Sequence, residues 1–524
     1  MPFCIAADPL IVQQEINDAV AMCKNSSKVV QLRSEAYKKL EVLLSDPSSD
    51  KDKVIKEQNN YQDLLSTTTT KTFRPVKLRA NRFPAKRART PFCFFESLGP
   101  PLHPDTQSKA SISSAMIHRL WQGKEHLDSG QCAHLKEAWT RTKELLPTPA
   151  EWEALKTERP LNSSRDWLTK DYGRRNDATQ VKRLLKEGIE EYERTGIVVS
   201  DLEFFVKNET AISKLCGNKF RGIFVAHPTF ATLCNPAYYQ MTKNLSSFYH
   251  PNQPNGQHTV LASGLTSPEV AAAMQAGIEK CGANAIIVEK DASEFEANQT
   301  QEHTSAVHEV YMQHGVPDII MREIAKTKQV TVVERFDDEG KRIIMFSRDG
   351  GMGSGIGDVT LRNSLNTMMA RVDYMLGLGY STTEIMARSF AVILGDDNWI
   401  VVADDKRNAD ISTKHSADFF LKHHGWKMKC NHYNLEDLSR SEFCSMYPFW
   451  NGKKLCLSGK PGKLLAKTFT IDPNCKSDPL AQIRGMIRGA GHFQQGYILS
   501  RCLTMLDRAL PKDVDLSSLN RTLD

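Results

Sequence analysis

Short apolar runs bounded by charged or turn residues mark predicted strands in the second half of the chain. The run AIIVEKD at 285–291 is β-rich and ends in charge, which is typical of a buried strand. The runs QVTVVERF (329–336) and KRIIMFS (341–347) flank Asp-Asp-Glu-Gly and predict a hairpin. The runs FAVIL and NWIVVA flank a Gly-Asp-Asp sequence at 395–397 and predict a second hairpin with a tight acidic turn.

Helical patterns separate these strands. The segment 358–379 has helical periodicity and is entered through the glycine-rich sequence RDGGMGSGIG, and a further helix at 409–425 is predicted to stop at Gly425. Helical patterns also cover 12–43 and 107–196. This order of strands, hairpins and helices predicts an α+β fold with an antiparallel sheet.

Composition indicates a globular protein with several domains. The chain has 524 residues, of which 40% are hydrophobic and 25% charged, and these values exclude a largely disordered or collagenous protein. No apolar run approaches the length of a membrane span, and the first twenty residues lack the features of a secretory signal. The twelve cysteines form no CxxC pair, a pattern typical of free thiols in a reducing compartment.

Basic residues are concentrated near the start of the chain. Lys71 to Thr90 contains eight Lys and Arg residues and no acid, with Phe73 and Phe83 interleaved. This pattern indicates a phosphate-binding surface, and a merely solvated face is the alternative. The candidate ligands for phosphate are Arg74, Lys77, Arg79, Arg82, Lys86, Arg87 and Arg89.

Histidine and cysteine residues are also frequent in one later segment. They are His415, His423, His424, Cys430, His432 and Cys444. Their spacing matches no pattern typical of zinc sites. The interpretation at this point is that they occur together by chance.

Acidic residues at predicted strand ends are the first candidates for chemistry. Asp291 ends one strand, and Asp396 and Asp397 stand at the turn of the second hairpin, where Gly395 permits the tight bend. Carboxylates held on a rigid sheet suit two-metal phosphoryl transfer, in which one ion activates a hydroxyl and the other stabilises the leaving group. Hard oxygen ligands favour Mg²⁺.

The acids belong to a longer series of motifs in a fixed order. The series resembles motifs F, A, B, C, D and E of viral RNA-dependent RNA polymerases and spans about residues 205 to 450. Its elements are Lys207-Asn208-Glu209 with Lys219 to Ile223, Asp291 to Gln299, Ser354-Gly355 with Asn363, Gly395 to Asp397, Gly425 to Lys429, and Ser441 to Ser445 with Pro448. The motif A text is nearest to alphavirus-like polymerases and the motif E text to tombusvirus-like ones, so the subfamily stays open.

The resemblance implies a role for each matching residue. Asp291 and Asp396 would be the main ligands of two Mg²⁺ (or Mn²⁺) ions, with Asp397 assisting. Lys207 and Arg221 would bind the triphosphate of the incoming nucleotide.

Further matching residues concern the sugar, the loop and the leaving group. Asn363 would help recognise the ribose 2′-hydroxyl, and Ser354 and Gly355 would form a loop that adjusts to template and nucleotide. Lys429 would protonate the leaving pyrophosphate, with Lys427 an equal rival.

Two positions depart from the family pattern. The second acid of motif A is usually Asp, whereas this chain has Glu296, whose longer side chain puts its ribose contact in doubt. The motif B threonine normally lies four residues before Asn363, where this chain has Val359, and Thr360 follows one residue later. Glu296 and Thr360 are kept as candidate nucleotide-binding residues, and neither departure removes a metal ligand.

A right-hand architecture of fingers, palm and thumb would divide the chain. The expected parts are an N-terminal helical extension with a polar linker (1–72), fingers with the basic segment and motif F (73–284), a palm (285–455) with a fingers insertion at about 310–350, and a small thumb (456–524). The basic stretch would then contact RNA.

The function that the resemblance implies is template-directed RNA synthesis, replicating the genome of a positive-strand RNA virus. The expected partners are RNA template and product, ribonucleoside triphosphates and other viral replication proteins. The expected location is the host cytoplasm, at membrane-associated replication complexes. Two alternatives stay open, which are a non-catalytic RNA-binding replication scaffold and another palm polymerase such as a reverse transcriptase.

Overall fold

The structure is a computed structural model that describes part of the chain. The described residues are 76–81, 88–89, 101–102, 106–121, 126–155, 202–207, 211–212, 221–292, 295–316, 331–336, 342–348, 353, 355–459 and 470–471, with isolated helical residues between 183 and 194. The expected N-terminal extension, with its predicted helix at 12–43, and most of the expected thumb lie outside these ranges.

The strands are short before residue 250 and longer after it. They are β1 (Lys77–Leu78), β2 (Ala88–Arg89), β3 (Pro101–Leu102), β4 (Leu202–Val206), β5 (Ala211–Ile212), β6 (Gly222–Ala226), β7 (Thr259–Leu261), β8 (Ile286–Ala292), β9 (Thr331–Phe336), β10 (Arg342–Arg348), β11 (Ser389–Leu394), β12 (Asp397–Val402), β13 (Met428–Asn434), β14 (Met446–Asn451), β15 (Lys454–Gly459) and β16 (Thr470–Ile471).

The helices lie between these strands. They are α1 (Lys109–Trp121), α2 (Ser129–Lys143), α3 (Pro149–Leu155), α4 (Pro228–Phe248), α5 (Ser267–Cys281), α6 (Phe295–Asn298), α7 (Gln301–Gln313), α8 (Val359–Gly377), α9 (Thr382–Arg388) and α10 (Thr413–His424), with 3₁₀ helices at Pro254–Gln257, Lys406–Asp410 and Leu435–Arg440. No helix in the described ranges has both the length and the apolar character of a bilayer span.

A five-stranded sheet in the order β13-β8-β12-β11-β7 organises the described residues after 250. The strands β8, β11 and β12 confirm the predicted strand and acidic hairpin, and β9 pairs antiparallel with β10 as the other hairpin prediction requires. The α+β fold is confirmed. The prediction of an antiparallel sheet was incomplete, because β7 pairs parallel with β11. No hairpin turn joins these two strands to set their relative direction.

The inner strands β11 and β12 are buried on both faces, which explains why they are continuous apolar runs rather than alternating ones. Adjacent residues enter different cores: Val288 and Ile400 contribute to one, and Ile287, Trp399 and Val401 to the other. A strand alternates its side chains between faces, so a strand covered on both sides must be apolar at every position.

Helices and a hairpin cover the two faces. The first core includes residues of α2, α4, α8 and α10, and the second includes α5 and the antiparallel hairpin β14–β15. Helix α10 starts at Ser412, whose Oγ accepts a hydrogen bond from the His415 N–H, and ends at Gly425, which has a φ of +67°. The predicted stop at Gly425 is therefore confirmed, because glycine adopts this left-handed conformation without steric cost.

Close packing of α5 on β11 depends on Gly277. A Cβ atom added there would lie 2.4 Å from Cδ1 of Phe390, which is too close without a shift of the ring or the helix. We expect Gly277→Ala to lower the thermal unfolding midpoint by about 2–6 °C. Gly130→Ala in α2 is the matched control, because its added Cβ would lie 3.4 Å from Asp128 Oδ1. Equal midpoints for the two variants would contradict the packing argument.

Candidate active site

The register of the central sheet brings the acids of motifs A and C together. Asn398 of β12 pairs with Lys290 of β8, so the preceding residue, Asp397, comes opposite Asp291. On the other side of β8, Lys429 of β13 pairs directly with Asp291. Directly opposed residues of antiparallel strands have side chains on the same face. Two carboxylates and the motif D lysine therefore lie side by side at one end of the sheet.

Asp396 experiences the charges of the other acids. Its side chain has exposed surface, but protein atoms crowd the carboxylate, and this partial burial is the largest cause that raises its pKa to about 6. Repulsion from Asp397, Glu296 and Asp291 adds to the shift. These four acids belong to two segments about 100 residues apart in the sequence, and the structure places them close enough to interact.

Side chains of helix α8 form hydrogen bonds with the backbone of the acidic turn. The Gly395 N–H donates a hydrogen bond to Ser364 Oγ at 2.9 Å, and Thr367 Oγ1 donates to the Gly395 carbonyl at 3.0 Å. Gly395 has a φ of +66°, a conformation that favours glycine. Both polar groups of this residue are thus tied to one helix face, so the turn cannot move independently of the motif B helix.

Side-chain amides connect the remaining parts of the site. Asn398 Nδ2 donates to the Lys290 carbonyl at 3.0 Å and to the Asp396 carbonyl at 3.3 Å, and so joins the motif A strand to the motif C turn. Asn366 Nδ2 of α8 donates to Gln299 Oε1 at 2.8 Å, just beyond the short helix α6 that carries Glu296. Motifs A, B and C therefore form one hydrogen-bonded unit.

Asn363 and Thr360 lie in the first part of α8. Asn363 is buried, and a Cβ atom added to Gly395 would lie 4.0 Å from the Asn363 Cβ, so this side chain adjoins the acidic turn. The Asn363 Oδ1 atom is buried and has no hydrogen-bond partner among the described residues, which costs free energy unless a bound group satisfies it. Thr360 is exposed, and its carbonyl accepts a hydrogen bond from Ser364 Oγ at 2.7 Å.

The motif F strands meet the motif B loop. Gly355 has a φ of +106°, and an added Cβ there would lie 2.5 Å from the Phe224 carbonyl oxygen of β6. Across the hairpin of β4 and β6, the half-buried Lys207 donates its N–H to the carbonyl of the exposed Arg221 at 2.8 Å. The two predicted triphosphate ligands are thus neighbours, and Ser354 lies outside the described residues.

The basic stretch is described only in part. Lys77 and Arg79 are exposed, and Arg79 forms an ion pair with Glu203 at 3.3 Å beside the Phe205 ring. The backbone of Arg89 lies in β2. The other candidate residues lie outside the described ranges, and they are Arg74, Arg82, Lys86 and Arg87. The phosphate-binding role of this stretch stays a prediction.

A buried cation lies directly behind the acids. Lys290 is 4% exposed, and its Nζ lies 4.2 Å and 4.5 Å from the ring centroids of Tyr374 and Phe420. Burial lowers the pKa of Lys290 to about 8.

A second buried cation lies in α8. Burial lowers the pKa of Arg371 to about 10, and its guanidinium donates hydrogen bonds to the hydroxyls of Thr259 and Ser389. Sequence reasoning missed both residues, although Lys290 stands out as a charge inside a strand pattern.

Motif E adjoins the acids through a tight turn. Cys444 and Ser445 have φ values of 51° and 63°, which are uncommon for residues other than glycine. Burial raises the pKa of the Cys444 thiol, and the charge of Asp397 and a hydrogen bond to it raise it further. The neighbouring Glu442 N–H donates to Glu289 Oε2 at 3.1 Å. This turn is therefore attached to the same face of β8 as Asp291.

The four acids are suited to hold divalent cations. Carboxylate oxygens are the ligands that Mg²⁺ and Mn²⁺ prefer. Burial contributes most to the raised pKa of Asp396, and the neighbouring acids add a repulsion that a cation would relieve. A scan against models of known protein families matched none, and a search of curated protein sequences found no match to this chain. The functional argument therefore rests on the residues of the site.

Manganese binding tests this arrangement without assuming an activity. We expect Asp396→Asn to weaken Mn²⁺ binding at least about tenfold, because ligand charge sets the affinity of carboxylate sites. The measurement is the free Mn²⁺ signal in electron paramagnetic resonance. Asp404→Asn is the matched control, since this exposed acid follows the opposite end of β12. Equal affinities for the two variants would place the cation elsewhere.

Proposed function

We propose that this protein is an RNA-directed RNA polymerase that copies an RNA template by two-metal nucleotidyl transfer. The observation that carries the proposal is the meeting of Asp291, Glu296, Asp396 and Asp397 beside Lys429 at one end of a doubly covered sheet. These residues come from distant parts of the sequence and lie at positions that correspond to motifs of the viral polymerases that the chain resembles, with Glu296 standing where the family usually has Asp.

The chemistry requires little covalent participation from the protein. The 3′-hydroxyl of the growing strand attacks the α-phosphorus of a ribonucleoside triphosphate, a new P–O bond forms, and pyrophosphate leaves. When bound, two Mg²⁺ or Mn²⁺ ions would lower the pKa of the attacking hydroxyl and neutralise charge on the leaving group. Asp291 and Asp396 would hold these ions, with Asp397 assisting.

Other residues of the site position the nucleotide. Lys207 and Arg221, which adjoin across the β4–β6 hairpin, would bind the triphosphate, where an arginine fork matches phosphate oxygens. The unpartnered Oδ1 of Asn363 can accept a hydrogen bond from a ribose 2′-hydroxyl, which only ribonucleotides carry. This feature favours a ribonucleotide over a deoxyribonucleotide substrate.

The proposal extends to architecture and cellular setting. The central sheet with α8 would be the palm, the β1-β4-β6 sheet part of the fingers, and 456–524 the thumb. Strand β7 and helix α5 lie within 73–284, which the sequence assigns to the fingers, but they pack with the central sheet, so the palm would begin before residue 285. Partners would be RNA template and product and other viral replication proteins, at membrane-associated complexes in the host cytoplasm. These assignments rest on the resemblance to positive-strand RNA virus polymerases.

Two other functions compete with this proposal. A reverse transcriptase would share the acids, but it must exclude the 2′-hydroxyl, and a small polar residue such as Asn363 at the sugar position disfavours it. A non-catalytic RNA-binding scaffold would use the basic stretch, but it gives no reason to keep repelling carboxylates together with Asp396 at a pKa of about 6.

Ribonucleotide incorporation on a short RNA template tests the proposal. With Mg²⁺ or Mn²⁺ present, we expect synthesis by the wild type and a loss of at least about 100-fold in Asp396→Ala, because a metal ligand is removed. Asp404→Asn should retain the wild-type rate. Ribonucleotides should be incorporated in preference to deoxyribonucleotides.

Each alternative has its own outcome in this assay. Deoxyribonucleotide preference would support a reverse transcriptase. RNA binding without synthesis on primed and unprimed templates, with either metal, would support the scaffold. Equal synthesis by wild type and Asp396→Ala would exclude the assigned acids as the catalytic centre.

Substitution of the two motif D lysines one at a time tests which of them is the general acid. Lys429 pairs with Asp291 in the sheet register, whereas Lys427 precedes the strand β13. We expect Lys429→Gln to lower the rate of incorporation about 100-fold, because general acid catalysis contributes roughly that factor. Lys427→Gln is the matched control and should stay close to the wild-type rate. The reverse result would transfer the role to Lys427.

A further inference from the structure

Three helices that are distant in sequence meet at one carboxylate oxygen. Asp373 Oδ2 of α8 lies 2.8 Å from His134 Nε2 of α2 and 2.7 Å from His424 Nε2 of α10. One ligand atom from each of these residues lies within 4.8 Å of the others. The group lies in the second half of α8, whereas the acidic turn adjoins the first half.

The side chains are shielded from solvent on one side and accessible on the other. His424 is 0% exposed at its side chain and Asp373 6%, whereas His134 is 27% exposed. The His423 ring stacks on His134 with centroids 4.0 Å apart, which restricts the orientation of that imidazole. A cation here would have a fixed inner ligand pair and an outer ligand beside water.

The chemical character of the group favours a transition metal over Mg²⁺. Imidazole nitrogen suits zinc and its neighbours in the first row, whereas Mg²⁺ prefers an all-oxygen shell.

The spacing of the ligand atoms is compatible with zinc. Two ligand atoms on a tetrahedral Zn²⁺ ion lie about 3.3 Å apart, given bonds of about 2.0 Å. The observed separations from Asp373 Oδ2 are 2.7 Å to His424 and 2.8 Å to His134, so binding would require roughly 0.5 Å of widening on both sides, through small shifts of the Asp373 carboxylate and the two imidazoles. Because the His134 side chain is 27% exposed, solvent is available as a fourth ligand beside the three protein ligands.

We propose that His134, Asp373 and His424 bind a Zn²⁺ ion that ties α2, α8 and α10 together. The site is separate from the four acids of the candidate active site, and it does not depend on the polymerase proposal. Zinc here would join a helix of the N-terminal half to the motif B helix and to the helix that precedes motif D. Its contribution would be to stability rather than to chemistry.

Metal analysis of the full chain tests the site. For protein purified without a polyhistidine tag, we expect mass spectrometry to find about one zinc ion per chain and added Zn²⁺ to raise the thermal midpoint of chelator-treated protein by at least about 2 °C. The variants His134→Gln and Asp373→Asn should lose both the bound zinc and the midpoint shift. His415→Gln, an exposed histidine on α10, is the matched control and should retain both.

Further outcomes decide the proposal in either direction. Retention of zinc in Asp396→Asn would support a site apart from the acids, and Co²⁺ substitution should give visible absorption that His134→Gln lacks. Wild-type protein that neither contains zinc nor shifts its midpoint with added Zn²⁺ would overturn the proposal and leave a hydrogen-bonded His-Asp-His group. Zinc retained in both His134→Gln and Asp373→Asn would also overturn it.

Discussion

Repulsion among carboxylates at one end of the central sheet is the constraint on which the rest of this structure depends. Partial burial is the largest cause that raises the pKa of Asp396 to about 6, and repulsion from Asp397, Glu296 and Asp291 raises it further. Such groups separate unless their backbone is fixed. The sheet fixes the backbone of these acids because hydrophobic cores cover both of its faces. The two hydrogen bonds between α8 and Gly395 hold the turn itself in place.

Helix α8 joins the parts of the site because its buried surface is partly polar. Ser364 and Thr367, three residues apart, bind the acidic turn, and Asn366 binds Gln299. One helical repeat further on, Arg371 and Asp373 bind groups from β7, β11, α2 and α10. A polar residue inside a helix packed between apolar neighbours must find partners. The partners of α8 are the segments whose relative positions define the site.

Local sequence patterns predicted what depends on neighbours in the chain. Apolar runs gave β8, β11 and β12, glycine marked the end of α10, and the position of the acids at strand ends followed from those runs. The partners of buried polar groups were not predictable in this way. His134 and Asp373 are 239 residues apart, and no periodicity relates them. The parallel pairing of β7 with β11 was missed for a similar reason, since Thr259–Leu261 is short and its direction depends on tertiary packing.

The register of β8 decides which charge faces solvent. Asp291 is exposed and Lys290 is buried between aromatic rings, so a slip of one residue would exchange an acid and a cation between the two faces. Two contacts from outside this strand oppose such a slip. Asn398 on β12 binds the Lys290 carbonyl, and the Glu442 N–H binds the Glu289 side chain. A slipped strand would also bury a carboxylate against the rings of Tyr374 and Phe420, where the negative faces of the rings disfavour it. The buried lysine therefore specifies the position of the acid next to it.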